Sequence, residues 1–210
     1  MSDILRQVDD DLRKDKLHNL WNKYGLYAIS SLLIIVVIII VYQVKNYTDK
    51  INNEKLLEIY INASNEENTF LQISQFEELK NSNNKYLSGM AEFKIANLQI
   101  EKGNIQQGLT DLQEIIKNER YDPIINDLAT YLLLVKKIND FTEDELMTFI
   151  DDDMLKESRF KFLFKELISI KKILHGKNDE GKKGFQELVD NPDTPIEIRI
   201  RATKFIEIAN

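Results

Sequence analysis

The sequence predicts an all-α protein, with a single N-terminal transmembrane helix followed by a degenerate helical-repeat solenoid. Three observations lead there. An uncharged aliphatic run lies near the start, apolar residues beyond it recur at helical spacing, and small residues and glycines coincide when the sequence is shifted by 73 positions. The implied organisation is a cytoplasmic amphipathic leader at 1–23, a membrane helix at 24–44 and a repeat domain at 45–210.

Composition narrows the function classes. Gly 7 and Pro 3 are few for 210 residues, where average usage gives roughly 15 and 10, so breakers are scarce and helix is favoured over a turn-rich β fold. The formal net charge of -7 argues against a general nucleic-acid binder, which needs a basic face for phosphates. The absence of cysteine excludes a disulfide framework, a thiolate zinc site and a thiol nucleophile. With only His18 and His175, a histidine-based metal centre or catalytic triad has no ligand set. We therefore expect no catalytic, cofactor-binding or metal-binding residues.

Between Lys23 and Lys45 lie 21 uncharged residues, wholly aliphatic from Leu32 to Val41. Twenty residues at the helical rise cover about 30 Å, the hydrocarbon thickness of a bilayer. Trp21, Tyr24 and Tyr27 stand at one end and Tyr42 and Tyr47 at the other, as an aromatic belt at the two interfaces requires. The run exceeds a typical signal-peptide apolar core and lacks a small-residue cleavage site, which indicates an uncleaved anchor. Arg6, Arg13, Lys14, Lys16 and Lys23 precede it, against Lys45, Lys50 and Lys55 after it. That bias places the N-terminus in the cytoplasm and the repeat domain outside.

In the leader, Ile4, Val8 and Leu12 fall on one helical stripe among Asp9, Asp10, Asp11, Arg13 and Lys14. Such a segment either docks on a membrane partner or rests its apolar side on the headgroups.

Downstream, Leu56, Leu57, Tyr60 and Ile61 form one apolar stripe, and Phe70, Ile73, Phe76 and Leu79 another. The pattern continues through Ile95, Leu98, Leu109, Leu112, Ile115 and Ile116. Helices are expected at about 46–63, 68–80, 86–102, 105–117, 123–138, 143–151, 155–175, 179–189 and 195–208. The 73-residue shift superposes Gly103 on Gly176, Gly108 on Gly181, Leu112 on Phe185 and Ala129 on Ala202. Ala96, Ala129, Ser169 and Ala202 are separated by 33, 40 and 33 residues, close to the roughly 34-residue unit of tetratricopeptide repeats. In such a unit a small residue lets two helices approach, and glycine supplies the positive φ that ends the first. Asn104, Asn178-Asp179, Asp122-Pro123, Thr194-Pro195 with Glu197, and Thr142 with Glu145 read as helix starts. An irregular helical bundle is the alternative. The third pair fits least, because Lys136-Lys137-Ile138-Asn139-Asp140 replaces a glycine corner.

The leader with Ile4, Val8-Asp9-Asp10-Asp11-Leu12-Arg13 and Leu20-Trp21, then Lys23-Tyr24-Gly25, one span, and degenerate repeats resembles a bacterial inner-membrane family. Leu128-Ala129 and Asp190-Asn191-Pro192-Asp193-Thr194-Pro195 are similar to it too. These are the ancillary subunits of the SecYEG translocon, of the alphaproteobacterial type. The resemblance implies a single-pass, non-enzymatic protein with its repeats in the periplasm. Its implied partners are the SecYEG translocon and a membrane-anchored periplasmic prolyl isomerase, and its implied role is passing newly translocated proteins to periplasmic chaperones. A scaffold or assembly factor for another cell-envelope complex is the competing function.

Helical repeats bind partners along the face lined by their first helices. Aligning the two turn glycines puts Met90, Phe93, Asn97 and Ile100 on that face in one repeat, and Leu163, Glu166, Ile170 and Ile173 in the other. Such side chains either line a groove for polypeptide or fill the core. Asp151-Asp152-Asp153 lacks the spacing and glycine of a calcium loop and reads as a capping loop.

Overall fold

In a computed structural model, residues 37–208 are described. The chain divides into two compact units, Met1–Lys55 and Leu56–Asn210. All regular structure among the described residues is helical. We label the helices α1 (37–65), α2 (Thr69–Lys80), α3 (Lys85–Glu101), α4 (Ile105–Lys117), α5 (Pro123–Lys136), α6 (Glu143–Phe149), α7 (Asp152–Lys156), α8 (Lys161–Leu174), α9 (Asn178–Asp190) and α10 (Ile196–Ile208).

In the first unit the described residues, 37–55, are helical, and 37–50 are exposed throughout. Residues 24–36 of the predicted span, the leader, Trp21, Tyr24 and Tyr27 lie outside the described residues. Among the described residues no helix is long and apolar enough to cross a membrane.

In the second unit most helices pack chiefly on their neighbours in sequence: α2 on α3, α3 on α4, α4 on α5, α8 on α9 and α9 on α10, while α6 and α7 both pack on α8. Weaker contacts skip one helix, α3 to α5 and α8 to α10. The core is accordingly a row of small clusters. Ala63, Phe76, Leu79, Ala91 and Ile95 form one. Leu109, Leu112, Ile115, Ile125, Ala129 and Leu133 belong to the next. Leu134, Leu146, Ile150, Phe164 and Leu167 make a third, and Phe162, Phe185, Leu188, Ile198 and Ala202 a fourth.

Several predicted starts are built as expected. The Asp122 carboxylate accepts from the Ile124 N–H at 3.1 Å, with Pro123 opening α5. Thr142 and Glu145 form a reciprocal capping box at 2.7 and 3.2 Å. Asp151 accepts from the Met154 N–H at 2.8 Å and so caps α7.

Others differ. Asn104 precedes α4 without a side-chain cap, because its amide turns back to donate to Gln99 Oε1 at 2.9 Å. Asn178 is already inside α9, behind an uncapped Lys177. Thr194 Oγ1 is buried without a hydrogen-bond partner, so the Thr194–Glu197 box does not form. The stripe on α1 is rotated: Leu56, Ile59, Tyr60 and Ala63 face the core, while Leu57 and Ile61 are exposed. Phe70, too, is 77% exposed at the first turn of α2.

The expected helix 155–175 is two helices, α7 and α8. Ser158 makes the break. Its hydroxyl donates to the Asp127 carboxylate on α5 at 2.6 Å and accepts the Phe160 N–H at 3.0 Å. A serine that serves a neighbouring helix and its own backbone competes with helical pairing.

Candidate functional site

The sequence repeat becomes a repeated joint in three dimensions. Gly103 and Gly176 have φ of +88° and +78°. After each, the chain closes the same paired turn: Gly103 N–H to Ile100 O at 3.1 Å and Asn104 N–H to Gln99 O at 2.9 Å, then Gly176 N–H to Ile173 O and Lys177 N–H to Lys172 O, both at 2.9 Å. This is the Schellman end of a helix. The following helix then comes back against the first. A Cβ on Gly108 would stand 2.5 Å from Ile100 Cγ1 and 2.6 Å from the Ala96 carbonyl oxygen. A Cβ on Gly181 would stand 2.5 Å from Ile173 Cγ1 and 2.9 Å from the Ser169 carbonyl oxygen. Every one of these partners is related by the same 73-residue shift. So are the buried pairs Ile115 and Leu188, and Ile125 and Ile198.

The residues expected to line a binding face lie largely between core and solvent. Met90 and Phe93 are half-buried against the cluster that includes Ile100, and Asn97 is half-buried with its amide donating to Glu101 at 2.6 Å. Leu163, Ile170 and Ile173 are half-buried against the cluster around Phe185. Glu166 is buried and takes a two-point contact from Arg201, with Nε and Nη2 at 2.8 and 2.7 Å from its two oxygens. That contact holds the Arg201 pKa above its ordinary value against the opposing cost of burial. Tyr42 and Tyr47, expected at a membrane interface, are 64% and 68% exposed.

Three polar arrangements escaped the sequence reading. The first joins α2, α3 and the loop before α5: Lys80 Nζ lies 3.0 Å from Glu92 Oε1, and the Tyr121 hydroxyl donates to Glu92 Oε2. Burial and the neighbouring carboxylate both push the Tyr121 hydroxyl well above the usual phenol range. The second is Lys171, buried on α8, whose Nζ donates to the Ile138 carbonyl at 2.7 Å. It secures the corner after α5 that lacks a glycine. The third is the Ser158–Asp127 bond, where burial raises the Asp127 pKa despite the hydroxyl. The only sequence signal for any of them is a charged or polar residue on an apolar face. Their partners, 12 to 33 residues away, cannot be read from spacing.

Between α8 and α9 opens a groove of about 430 Å³, lined by Phe162, Ile168 and Leu188 and bordered by Lys165, Lys172 and Lys183. Ser169, Gly184 and Leu155 of α7 line it too. Among the described residues, no group of three or more Asp, Glu or His is placed to hold a metal ion.

These observations define an all-helical protein in which an internal repeat is carried by its helix joints. The chain belongs to the family described as "protein of unknown function (DUF2659)", whose family model matches residues 1–191. No curated protein and no solved structure matches it.

Proposed function

We propose that this chain is a membrane-anchored, non-enzymatic adaptor of the bacterial inner membrane. Residues 24–44 form its single transmembrane helix, with the N-terminus cytoplasmic. Residues 45–210 form a periplasmic tetratricopeptide-like repeat domain. The domain associates with the Sec translocon and helps pass newly translocated proteins to periplasmic chaperones by protein–protein contacts.

The observation that carries the reading is the exposed aliphatic start of α1. Val37, Ile38, Ile39, Ile40 and Val41 are consecutive, aliphatic and 48–62% exposed, and they continue the uncharged run that begins at Tyr24. Side chains of this kind each favour an apolar environment by about 1.5–3 kcal/mol, and a bilayer supplies one around the whole circumference of a helix. The repeated joints at Gly103–Gly108 and Gly176–Gly181 support the tetratricopeptide-like reading. Anchoring raises the effective concentration of weak binding sites near the translocon exit.

Topology and partners are tested together. The chain has no cysteine, so Asn178→Cys, at an exposed position, is a unique thiol. A membrane-impermeant maleimide is expected to label it in cells with a permeabilised outer membrane. Labelling that appears only after lysis overturns the orientation. Purification of the full-length chain in mild detergent is expected to enrich translocon and chaperone components over a control ending at Asn46. Enrichment of another envelope complex in their place favours the scaffold function.

A further inference from the structure

α10 is apolar on two opposite faces. Ile198, Ala202, Phe205 and Ile206 pack into the fourth cluster with Phe185 and Leu188. Ile196 and Ile200, one turn apart on the other side, are 54% and 50% exposed. A surface helix ordinarily turns a polar face outward.

The internal repeat shows what this face does elsewhere. α10 stands in the second unit of the repeat where α5 stands in the first: the buried Ile198 and Ala202 are the counterparts of Ile125 and Ala129. The same 73-residue shift takes Ile200, Lys204 and Glu207 back to Asp127, Tyr131 and Leu134. On α5 those three carry other helices. Asp127 accepts from Ser158 at 2.6 Å, Tyr131 meets the Phe164 ring edge-on at 6.1 Å, and Leu134 is buried with Leu146 of α6 and Leu167 of α8. On α10 the same three positions are exposed.

Charge decides what fits there. Glu197 and Lys204 are exposed and seven residues apart, so they share one flank of the Ile196–Ile200 stripe. Arg201, on the same side, is engaged by Glu166 at 2.7 Å. Two copies of α10 set antiparallel about a two-fold axis at Ile200 bring Ile200 against its own copy. Ile196 of each then lies over the Lys204 stem of the other, and Glu197 of each comes beside the other's Lys204 ammonium. Both ion pairs close together because the pattern is its own complement, as a two-fold interface requires. A parallel pair sets Glu197 against Glu197 and Lys204 against Lys204.

We propose that the outer face of α10 is a self-association surface that takes the α10 of a second copy of this chain, antiparallel, through Ile196, Glu197, Ile200 and Lys204. A single helix of 13 residues on its own copy falls short of the roughly 1,000 Å² of a stable interface, so the pairing is weak and concentration-dependent. It requires neither the membrane nor the translocon.

The chain has no cysteine, so Ile200→Cys places one thiol at the axis. Glu119→Cys, exposed in the loop between α4 and α5, is the control. Full-length chain in mild detergent is treated with a short bismaleimide, and Ile200→Cys is expected to give covalent dimer well above the control. Adding either Glu197→Lys or Lys204→Glu to Ile200→Cys turns both cross-pairs into like charges. The yield is expected to fall about fivefold, with unchanged circular dichroism. Mixing those two variants, one of them carrying a size tag, makes every cross-pair opposite in charge again, and the heterodimer is expected at the yield of the Ile200→Cys parent. Equal cross-linking at positions 200 and 119, an undiminished yield in the charge variants, or a mixture no better than either variant alone overturns the proposal.

Discussion

Alanine at two neighbouring glycines separates two physical roles that look alike in the sequence. At Gly108 the added methyl carbon meets Ile100 Cγ1 at 2.5 Å and the Ala96 carbonyl oxygen at 2.6 Å. Ordinary contact needs roughly 3.5 Å or more, so α4 must retreat from α3 by most of an ångström. Removing glycine from a helix interior returns about 1 kcal/mol, while forcing a methyl into a filled interface costs about 1–3 kcal/mol. Because one of the two obstacles is main chain and cannot rotate away, the cost is placed at the upper end, and the net loss is about 1–2 kcal/mol. At Gly103 nothing lies within 4 Å, but φ is +88°. There the loss is backbone strain, about 1–2 kcal/mol for alanine, and less for asparagine, which tolerates the left-handed region. For a unit of this size 1 kcal/mol moves the midpoint by about 2–4 °C. Thermal melts of the full-length chain in mild detergent are therefore expected to show drops of about 2–8 °C for both alanine variants. Gly103→Asn recovers part of its loss, and Gly108→Asn falls further than Gly108→Ala. A Gly108→Ala chain as stable as the parent, or a rescue by asparagine at both sites, refutes the division of roles.

Other consequences are sharper at single contacts. Arg201→Leu strands the buried Glu166; the cost is expected at about 2–3 kcal/mol, below that of a fully buried pair because the guanidinium is 45% exposed, while Glu166→Met combined with Arg201→Leu recovers most of it, as denaturant unfolding will show. Thr142→Ala removes the capping box at α6, and about 1 kcal/mol of stability is expected to go with it. The Glu145 carboxylate, held below its ordinary range by the Thr142 backbone N–H and hydroxyl, contributes stability that is present above the unfolded glutamate range and lost as the pH falls through its lowered folded value. The same melts taken between pH 6 and 3 are expected to show a smaller acid loss in Thr142→Ala than in the parent. Asp127 has the opposite sign: its raised pKa means that the folded state binds the proton more tightly than the unfolded one, so its contribution improves as the pH falls through the raised value. Asp127→Asn keeps an acceptor for Ser158 and is expected to remove that part of the pH dependence without loss at neutral pH.

The legible parts of the fold are those decided locally. α4 ends where it was expected, at 105 and 117, because glycine at 103 and asparagine at 118 stop the chain on both sides. The positive φ of Gly103 and Gly176 was readable for the same reason. What escaped was decided by distant partners. Nothing near Ser158 announces that Asp127 will take its hydroxyl and divide the run 155–175. Asn104 looked like a cap, but Gln99 lies within reach of its amide. At the corner 136–140 the missing glycine was plain, while its remedy, Lys171, comes from α8. In the candidate binding face, helical spacing groups residues by angle, yet which of them meet a core cluster depends on α5 and α9 rather than on α3 and α8 themselves.

The broken stretch of α6 and α7 gives the repeat domain a seam. Across it run three polar clasps, Ser158 to Asp127, Lys171 to the Ile138 carbonyl and Lys177 to Glu143 at 2.6 Å, beside the apolar cluster that joins Leu134 of α5 and Leu146 of α6 to Phe164 and Leu167 of α8; direct contact between α5 and α8 is sparse beside that of α3 with α4 or α8 with α9. Clasps of this kind are weaker against water than methyl groups pressed together, and arrays of neighbour-only contacts open first at their thinnest link. The halves before and after the seam are thus expected to loosen from one another before either unravels. For the adaptor role proposed above, flexing at this seam would leave the surfaces of the two halves whole.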